Sequence, residues 1–427
     1  MLYIKFYKTM FRYGVKDAAL IFLTAVLLTA CGQGKDAGQT ASDIDGPTSG
    51  IAREGTHKEE GLTNSGGDIE EELTDAAPDN AESASDADET LQADTLKQQF
   101  GENCIAEQTF EIELSEYDGK VWFVPFASSE EEDFHIQIVQ DGEVLKDISG
   151  YVPEELAGKR FVSLDAVAFF DVNYDNETDI VLIETYGNTS FAAVYYGEAY
   201  TYSDGDVSAY FYAEERLSNN LTSRVETLTI PVIRDFLGNG KKNGEFEDYR
   251  EAYLAVGKLK EMESGGEIEY ALVYFDEDDV PELVADHTGY FMSLYTYHDG
   301  TIYTLMNEWG YGAMGNSGYE YCPGKNSLRN YNTDYAGLIL YTTYCSISAE
   351  FTMDTVVSIK TVNFDDANGN GIPDEDEEET FGYYGADYID DVEITPEEYA
   401  SYSMGEYEWL GAGANSMSLK ELAEALN

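Results

Sequence analysis

Positive charge is scarce in this chain. Against 84 aspartates and glutamates stand only 24 lysines and arginines, a formal net charge of −60. Recognition of a phosphate backbone rests on clustered Lys and Arg, so this balance argues against a nucleic-acid partner. It suits a soluble surface protein that draws divalent cations. Cysteine is nearly absent, at four in 427 residues. Apart from Cys31, the remaining Cys104, Cys322 and Cys345 are too few for a disulfide framework and match no zinc spacing. Cys322 and Cys345 stand either as a pair or as two buried thiols. Histidine is limited to four residues, and no metal-binding or triad pattern surrounds any of them. His135 alternates with Phe134 and Ile136, which predicts a strand with the imidazole facing solvent. No G-x-S-x-G, H-E-x-x-H or P-loop occurs. Acidic pairs are so numerous that none can be singled out as glycosidase-like. No catalytic residue is assigned.

Aromatic residues are missing from residues 32 to 98, which are dense in Ser, Thr, Gly, Ala, Asp and Glu. Such a stretch cannot bury enough apolar surface to offset its ordering entropy, so 31–98 is expected to be a disordered acidic tether. As a flexible coil its ends would lie roughly 45 Å apart. Ahead of it, Lys5, Lys8, Arg12 and Lys16 precede the apolar run 18–28, which is too short for a comfortable membrane span. Charged segment, apolar segment and small residues read as a secretory signal over 1–30. Leu28-Thr-Ala-Cys31 resembles a bacterial lipobox. The resemblance implies that Cys31 is lipidated on sulfur, becomes the mature N-terminus and anchors the chain at the extracytoplasmic face of the cell membrane.

The most informative stretch is Asp366-Ala-Asn-Gly-Asn-Gly-Ile-Pro-Asp-Glu-Asp-Glu377. It places side-chain oxygens at positions one, three, five, nine and twelve of a twelve-residue loop: Asp366, Asn368, Asn370, Asp374 and Glu377. Gly371 stands at position six, and Ile372 can offer its carbonyl at position seven. That is the oxygen spacing of a calcium loop. The alternative is an acidic, solvated turn. Pro373 disfavours a helical Ile372 and suits exit into a strand, and the β-branched run 355–362 predicts a strand before the loop. The loop resembles the acidic loops of thrombospondin type 3 and dockerin-type modules, EF-hand-like in ligands but not in flanks. Two weaker echoes occur upstream. Asp171, Asn173, Asp175 and Asp179 keep the spacing but lack the Gly and the twelfth-position acid. Asp276, Asp278 and Glu282 keep it too, but Tyr274 occupies the first ligand position.

From residue 109 the chain reads mostly as strands. Alternating or apolar runs occur at 109–114, 121–126, 134–139 and 180–183, and Asp-Gly hairpin signatures stand at 141–142, 204–205 and 299–300. Pro125 predicts an edge strand. The segments 200–205 and 295–300 share a Tyr-Thr-Tyr-x-Asp-Gly pattern, and each follows an acidic loop and an apolar strand. This unit resembles FG-GAP and VCBS-type propeller blades, and the acidic segments of many uncharacterised Gram-positive surface lipoproteins. Two copies are too few to close a propeller. Helices are expected at 231–237, along the stripe Phe246, Tyr249, Tyr253 and Val256, and after the capping boxes at 395–398 and 418–421. The Gly/Lys/Asn stretch 238–244 divides the body into 99–238 and 245–427. Gly310–Tyr321, rich in Gly and Tyr, is the candidate stacking loop for a sugar or peptide, against the alternative that its tyrosines fill strand cores.

The expectation is therefore an α+β fold, predominantly antiparallel β with a few helices, with propeller-blade-like units but no complete propeller. The expected function is that of a lipid-anchored, calcium-stabilised surface protein that binds or displays, with a cell-wall glycan or surface protein as partner. A secreted hydrolase with acidic catalytic residues and a ligand-free scaffold are the alternatives.

Overall fold

In a computed structural model, the described residues are 86–427 except 116, 128–133, 202–206, 313–314, 379–381, 383–384, 406 and 414. Cys31, most of the tether and the Asp204-Gly205 turn lie outside them. Four antiparallel sheets account for most of the chain. The strands β1 (Phe110–Glu113), β2 (Lys120–Ala127), β3 (Phe134–Gln140) and β4 (Glu143–Ser149) pair in sequence order. So do β5 (Phe161–Phe170), β6 (Asp179–Tyr186), β7 (Thr189–Thr201) and β8 (Val207–Ala213). Three helices follow: α2 (Glu215–Arg224), α3 (Ile230–Gly238) and α4 (Tyr249–Ser264). The third sheet holds β9 (Glu269–Val273), β10 (Glu282–His287), β11 (Phe291–His298) and β12 (Thr301–Gly310).

The fourth sheet contains β13 (Tyr319–Cys322), β14 (Ser327–Asp334), β15 (Ile339–Ile347), β16 (Met353–Val362), β17 (Ala386–Ile389), β18 (Val392–Ile394) and β19 (Leu410–Gly411). Its order is β18-β17-β16-β15-β14-β13-β19. The helices α6 (Pro396–Tyr402) and α7 (Leu419–Leu426) lie late in the chain. The fold is thus α+β and mainly antiparallel, as the alternation predicts.

The side-chain alternation of each strand builds a stack of layers. On β6, Ile180, Leu182 and Tyr186 face a core shared with Val121, Phe123, Ile136 and Ile138 of the first sheet. Val181 and Ile183 face the opposite way, onto α2, α3 and α4. The same core receives Tyr270, Leu283, Ala285 and Tyr295 from one face of the third sheet. Its other face, through Val273, Val284 and Leu294, packs on Tyr321, Leu328 and Cys345 of the fourth. Period-two burial makes each middle sheet apolar on both faces, hence the unbroken apolar run 180–183. Sheets stacked this way do not radiate about an axis, so the blade-like units do not close a propeller.

The sheets β5–β8 and β9–β12 share one plan: strand, acidic loop, strand, tight turn, strand, hairpin, strand. Asp299 (φ 47°) and Gly300 (φ 89°) form a turn with both central residues left-handed, as Asp141 and Gly142 do in the first sheet.

Several expectations are revised. Residues 86–100 form helix α1 (Asp86–Phe100), so the last part of the expected tether is ordered. Ala93, Leu96 and Phe100 lie at helical spacing, and the outer face of the first sheet, with Val124 and Val139, receives them. β2 is an interior strand, not an edge. Pro125 sits beyond the last β1 pair, Phe110↔Phe123, where no ladder donor is needed, and its carbonyl accepts from Ile105 N at 2.9 Å. His135 is half-buried and stacks on Phe126 at 5.0 Å. The stretch 238–244 ends α3 through the left-handed Asn239, but residues on both sides of it share one core, and 80–427 form one compact unit. Cys104, Cys322 and Cys345 are buried free thiols. Cys345 faces the core of Tyr321 and Leu328, whereas Cys322, next to Tyr321 on β13, alternates to the opposite face.

Candidate cation-binding loops

Each of the three acidic loops joins two strands of one sheet: 171–178 joins β5 to β6, 274–281 joins β9 to β10, and the loop from 366 leads from β16 towards β17. All three share a set of hydrogen bonds, to which the first and third add those of an acid at position one. In the first, Asp171 accepts from Asp175 N (3.1 Å) and Asn176 N (3.1 Å). In the third, Asp366 accepts from Asn370 N (3.1 Å) and Gly371 N (2.9 Å). The position-three side chain accepts from the position-five N–H in every loop: Asn173 from Asp175, Asp276 from Asp278, Asn368 from Asn370. The position-five side chain accepts from the position-seven N–H: Asp175 from Glu177, Asp278 from Val280, Asn370 from Ile372. A buried acid then closes each loop on its second residue: Asp179 on Val172 N, Glu282 on Phe275 N, Glu377 on Ala367 N. Side chains that curl the backbone this way turn their remaining oxygens inward, which is the layout a hard cation requires.

Two expectations change at this level. The 171–179 loop has no glycine at position six, yet Asn176 takes φ 66° there, matching Gly371 at φ 69°. Asparagine tolerates the left-handed region better than other residues with a β-carbon, so the missing Gly is no defect. After Pro373 the chain enters a helical turn, α5 (Glu375–Glu378), rather than a strand. Glu377 accepts from Asp374 N at 3.1 Å, the bond by which an acid at the third helical position ties down its N-cap.

Carboxylates converge in a loop whose sequence pattern is incomplete. Among the described residues, the acids whose ligand atoms all lie within 4.8 Å of one another are Asp276, Asp278 and Glu282, the group with Tyr274 in the first position. Glu282 is fully buried and takes Thr296 Oγ1 as a second donor. Burial pushes its carboxyl up to about 8, aided by Asp276 and Asp278. Asp276 and Asp278, with Glu277 of the same loop, border an open cleft of about 480 Å³, lined also by Gly324, Lys325 and Asn326 from the turn between β13 and β14. In the 171–179 loop, burial and then Asp175 push Asp171 up to about 7, and burial followed by Asp175 and Asp171 raises Asp179. Crowded carboxylates in a low dielectric are costly unless neutralised. An all-oxygen donor set with excess negative charge fits calcium rather than a transition metal. In the 366–377 loop both Glu377 oxygens are engaged by backbone N–H groups, and Asn368 Nδ2 holds Asp374 Oδ2 at 2.6 Å.

The first loop also joins two sheets. Asn243 donates from Nδ2 to Asp171 Oδ2 (2.9 Å) and to Ile302 O (3.0 Å), and accepts from Ile302 N (2.8 Å). Thr304 Oγ1 donates to Tyr174 O (2.7 Å). Asn243→Ala is expected to cost about 1–3 kcal/mol, because the Ile302 peptide loses both partners. A urea midpoint unchanged in that variant would show that the seam contributes nothing.

Sequence reasoning missed a buried charge cluster beside this loop. Lys260 on α4 is 7% exposed and lies 2.6 Å from Glu263 and 3.9 Å from Glu308. Tyr196 donates to Glu263, and Glu214 is pushed up to about 7 by burial and then by Glu263. Glu308 has φ 52° at a β-bulge opposite Ser293, whose hydroxyl accepts from Glu308 N. Bulges re-aim side chains. The Lys-x-x-Glu spacing on α4 was visible in sequence, but the bulge was not.

The candidate stacking loop is structural. Trp309, Tyr311 and Tyr319 pack on the core between the third and fourth sheets, and Tyr311 donates to Asp286 at 2.6 Å. The exposed tyrosines near the cleft are instead Tyr274 (54%) and Tyr407 (55%), the latter under Lys325 Nζ.

No protein-family model matches the chain, and no curated protein matches it.

Proposed function

We propose that the chain is an extracytoplasmic, lipid-anchored protein of the bacterial cell surface that binds or displays, with calcium-stabilised loops and a ligand cleft beside Asp276, Asp278 and Glu282. The observation that carries this reading is the common hydrogen-bond cradle of the three acidic loops, each closed by a buried acid. One cradle opens on the cleft, where Tyr274 and Tyr407 offer exposed ring faces for a cell-wall glycan or a surface peptide. Asp171, Asn173, Asp175 and Asp179 would hold a cation between sheets, and Asp366, Asn368, Asn370, Ile372, Asp374 and Glu377 would hold one at the far sheet. A hydrolase is less well supported, because the acid best suited to stay protonated, Glu282, is fully buried with both oxygens engaged.

Among the described residues no helix is long and apolar enough to cross a membrane. The proposed attachment is through Cys31. Cys31→Ala is expected to move the protein from the membrane fraction to the soluble fraction while the ectodomain still folds. Retention in the membrane pellet would sink the anchor. Binding is tested by co-sedimentation with purified cell-wall glycan in calcium and in chelator. Calcium-dependent pelleting that is lost in Tyr407→Ala is expected, and equal pelleting in both conditions would contradict it.

A further inference from the structure

Glu184 lies in the middle of β6, on the face that packs against the first sheet. Its side chain is fully buried, and neither carboxylate oxygen has a hydrogen bond of ordinary geometry. In register it stands between Leu164 on β5 and Phe191 on β7. The surrounding cluster is apolar: Phe123, Phe134, Ile136 and Ile138 from the first sheet, with Phe191 and Leu156. Stacked Phe134 and Phe161, and Phe161 edge-on to Tyr186, tie the two sheets together around it. Among the described residues the buried Asp179, Glu282 and Glu377 each accept a backbone N–H, and Asp286 and Asp387 each accept a hydroxyl at 2.6 Å. Glu184 has neither at ordinary geometry.

We propose that Glu184 is a proton-operated catch between the sheet β1–β4 and the sheet β5–β8. With the carboxyl neutral, the two sheets dock. When it ionises, the bare charge in the apolar layer favours separation of the first sheet from the second. The titratable groups that act on it or on its surroundings are phenols: Tyr186 on its own strand and Tyr195 on β7, with Tyr117 and Tyr151 packed against the same cluster. The Tyr195 hydroxyl is engaged by Tyr151 N at 2.7 Å, and Tyr151 donates to Asn219. Burial and the Tyr186 hydroxyl are what act on the carboxyl, with no contribution from a lysine, arginine or histidine among the described residues. A charge formed here therefore has no counter-ion.

Burial raises the carboxyl from 4.5 to about 8, and the Tyr186 hydroxyl lowers it only in part. The folded state holds its proton where the opened state has lost it, so docking is strongest at or below pH 4.5 and weakens as pH rises towards 8. Above that the cost levels off, because the docked state has then ionised too. Each pH unit inside this window weakens docking roughly tenfold.

Hydrogen exchange of the whole ectodomain at pH 5 and pH 8, corrected for intrinsic rates, tests this directly. In the wild type, protection of β1–β4 amides is expected to fall on the order of a hundredfold more than that of β13–β16. Glu184→Gln should abolish the difference, and Glu184→Leu should do the same if the amide packs poorly. A protonated-carboxyl infrared band at pH 6 that weakens by one group's share in Glu184→Gln is the second readout. Equal pH response in wild type and both variants, or a uniform loss across all sheets, would overturn the proposal.

Discussion

Calcium is expected to raise the stability of the ectodomain by about 2–5 kcal/mol at roughly 2 mM. A ligand that binds only the folded state contributes RT ln(1 + [L]/Kd), and extracellular calcium modules bind with Kd around 10⁻⁴–10⁻³ M, so each of the three loops adds roughly 0.7–1.8 kcal/mol. Asp366→Ala should remove one share of the gain, and Asp171→Ala with Asp276→Ala and Asp366→Ala together should remove all of it. The comparison is the shift between calcium and chelator within each variant, which cancels effects on the empty protein. Magnesium should give much less, because it is smaller and parts with water reluctantly. The gain should survive 150 mM salt, since direct coordination is screened far less than diffuse attraction to a −60 chain. Equal melting shifts for calcium and magnesium, unchanged in the triple variant, would point to counterion condensation alone.

Lys260→Met is expected to cost about 3–5 kcal/mol, the usual penalty for stranding a buried charge. The ammonium is the cation that faces Glu263 at 2.6 Å and Glu308 at 3.9 Å, beside Tyr196 and Glu214. Methionine fills the volume but leaves those carboxylates facing one another. Replacing Glu263 by Gln in the same chain should recover part of the loss, because one of the stranded charges disappears. The urea midpoints of the single and double variants decide the matter. A Lys260→Met protein as stable as the wild type would mean that the cluster is already neutral through protonation.

The sheets were legible because period-two burial and Asp-Gly turns are local signals. The apolar run 180–183 announced a strand buried on both faces, and the Ser418-Glu421 capping box forms as expected at the start of α7. Features that depend on neighbours were not legible. Pro125 looks like an edge residue until the end of β1 is placed beside it. Residues 93–98 look like tether until a sheet face is available to bury Leu96. The acidic loops were found by spacing, but spacing does not show how closely their carboxylates converge. Asn176 replaces glycine by backbone conformation, and convergence of Asp276, Asp278 and Glu282 comes from the fold of the loop, not from its first residue. Glu184 was overlooked because it stands directly after the apolar run, at a position where an acid is ordinarily turned to solvent.

The most direct measurement is calcium titration of the metal-free ectodomain by calorimetry at 150 mM salt. Saturable binding of up to three calcium ions per chain is expected, with one lost in Asp276→Ala and another in Asp366→Ala. A featureless, non-saturating titration that is the same in the wild type and both variants would contradict the assignment of these loops as calcium sites.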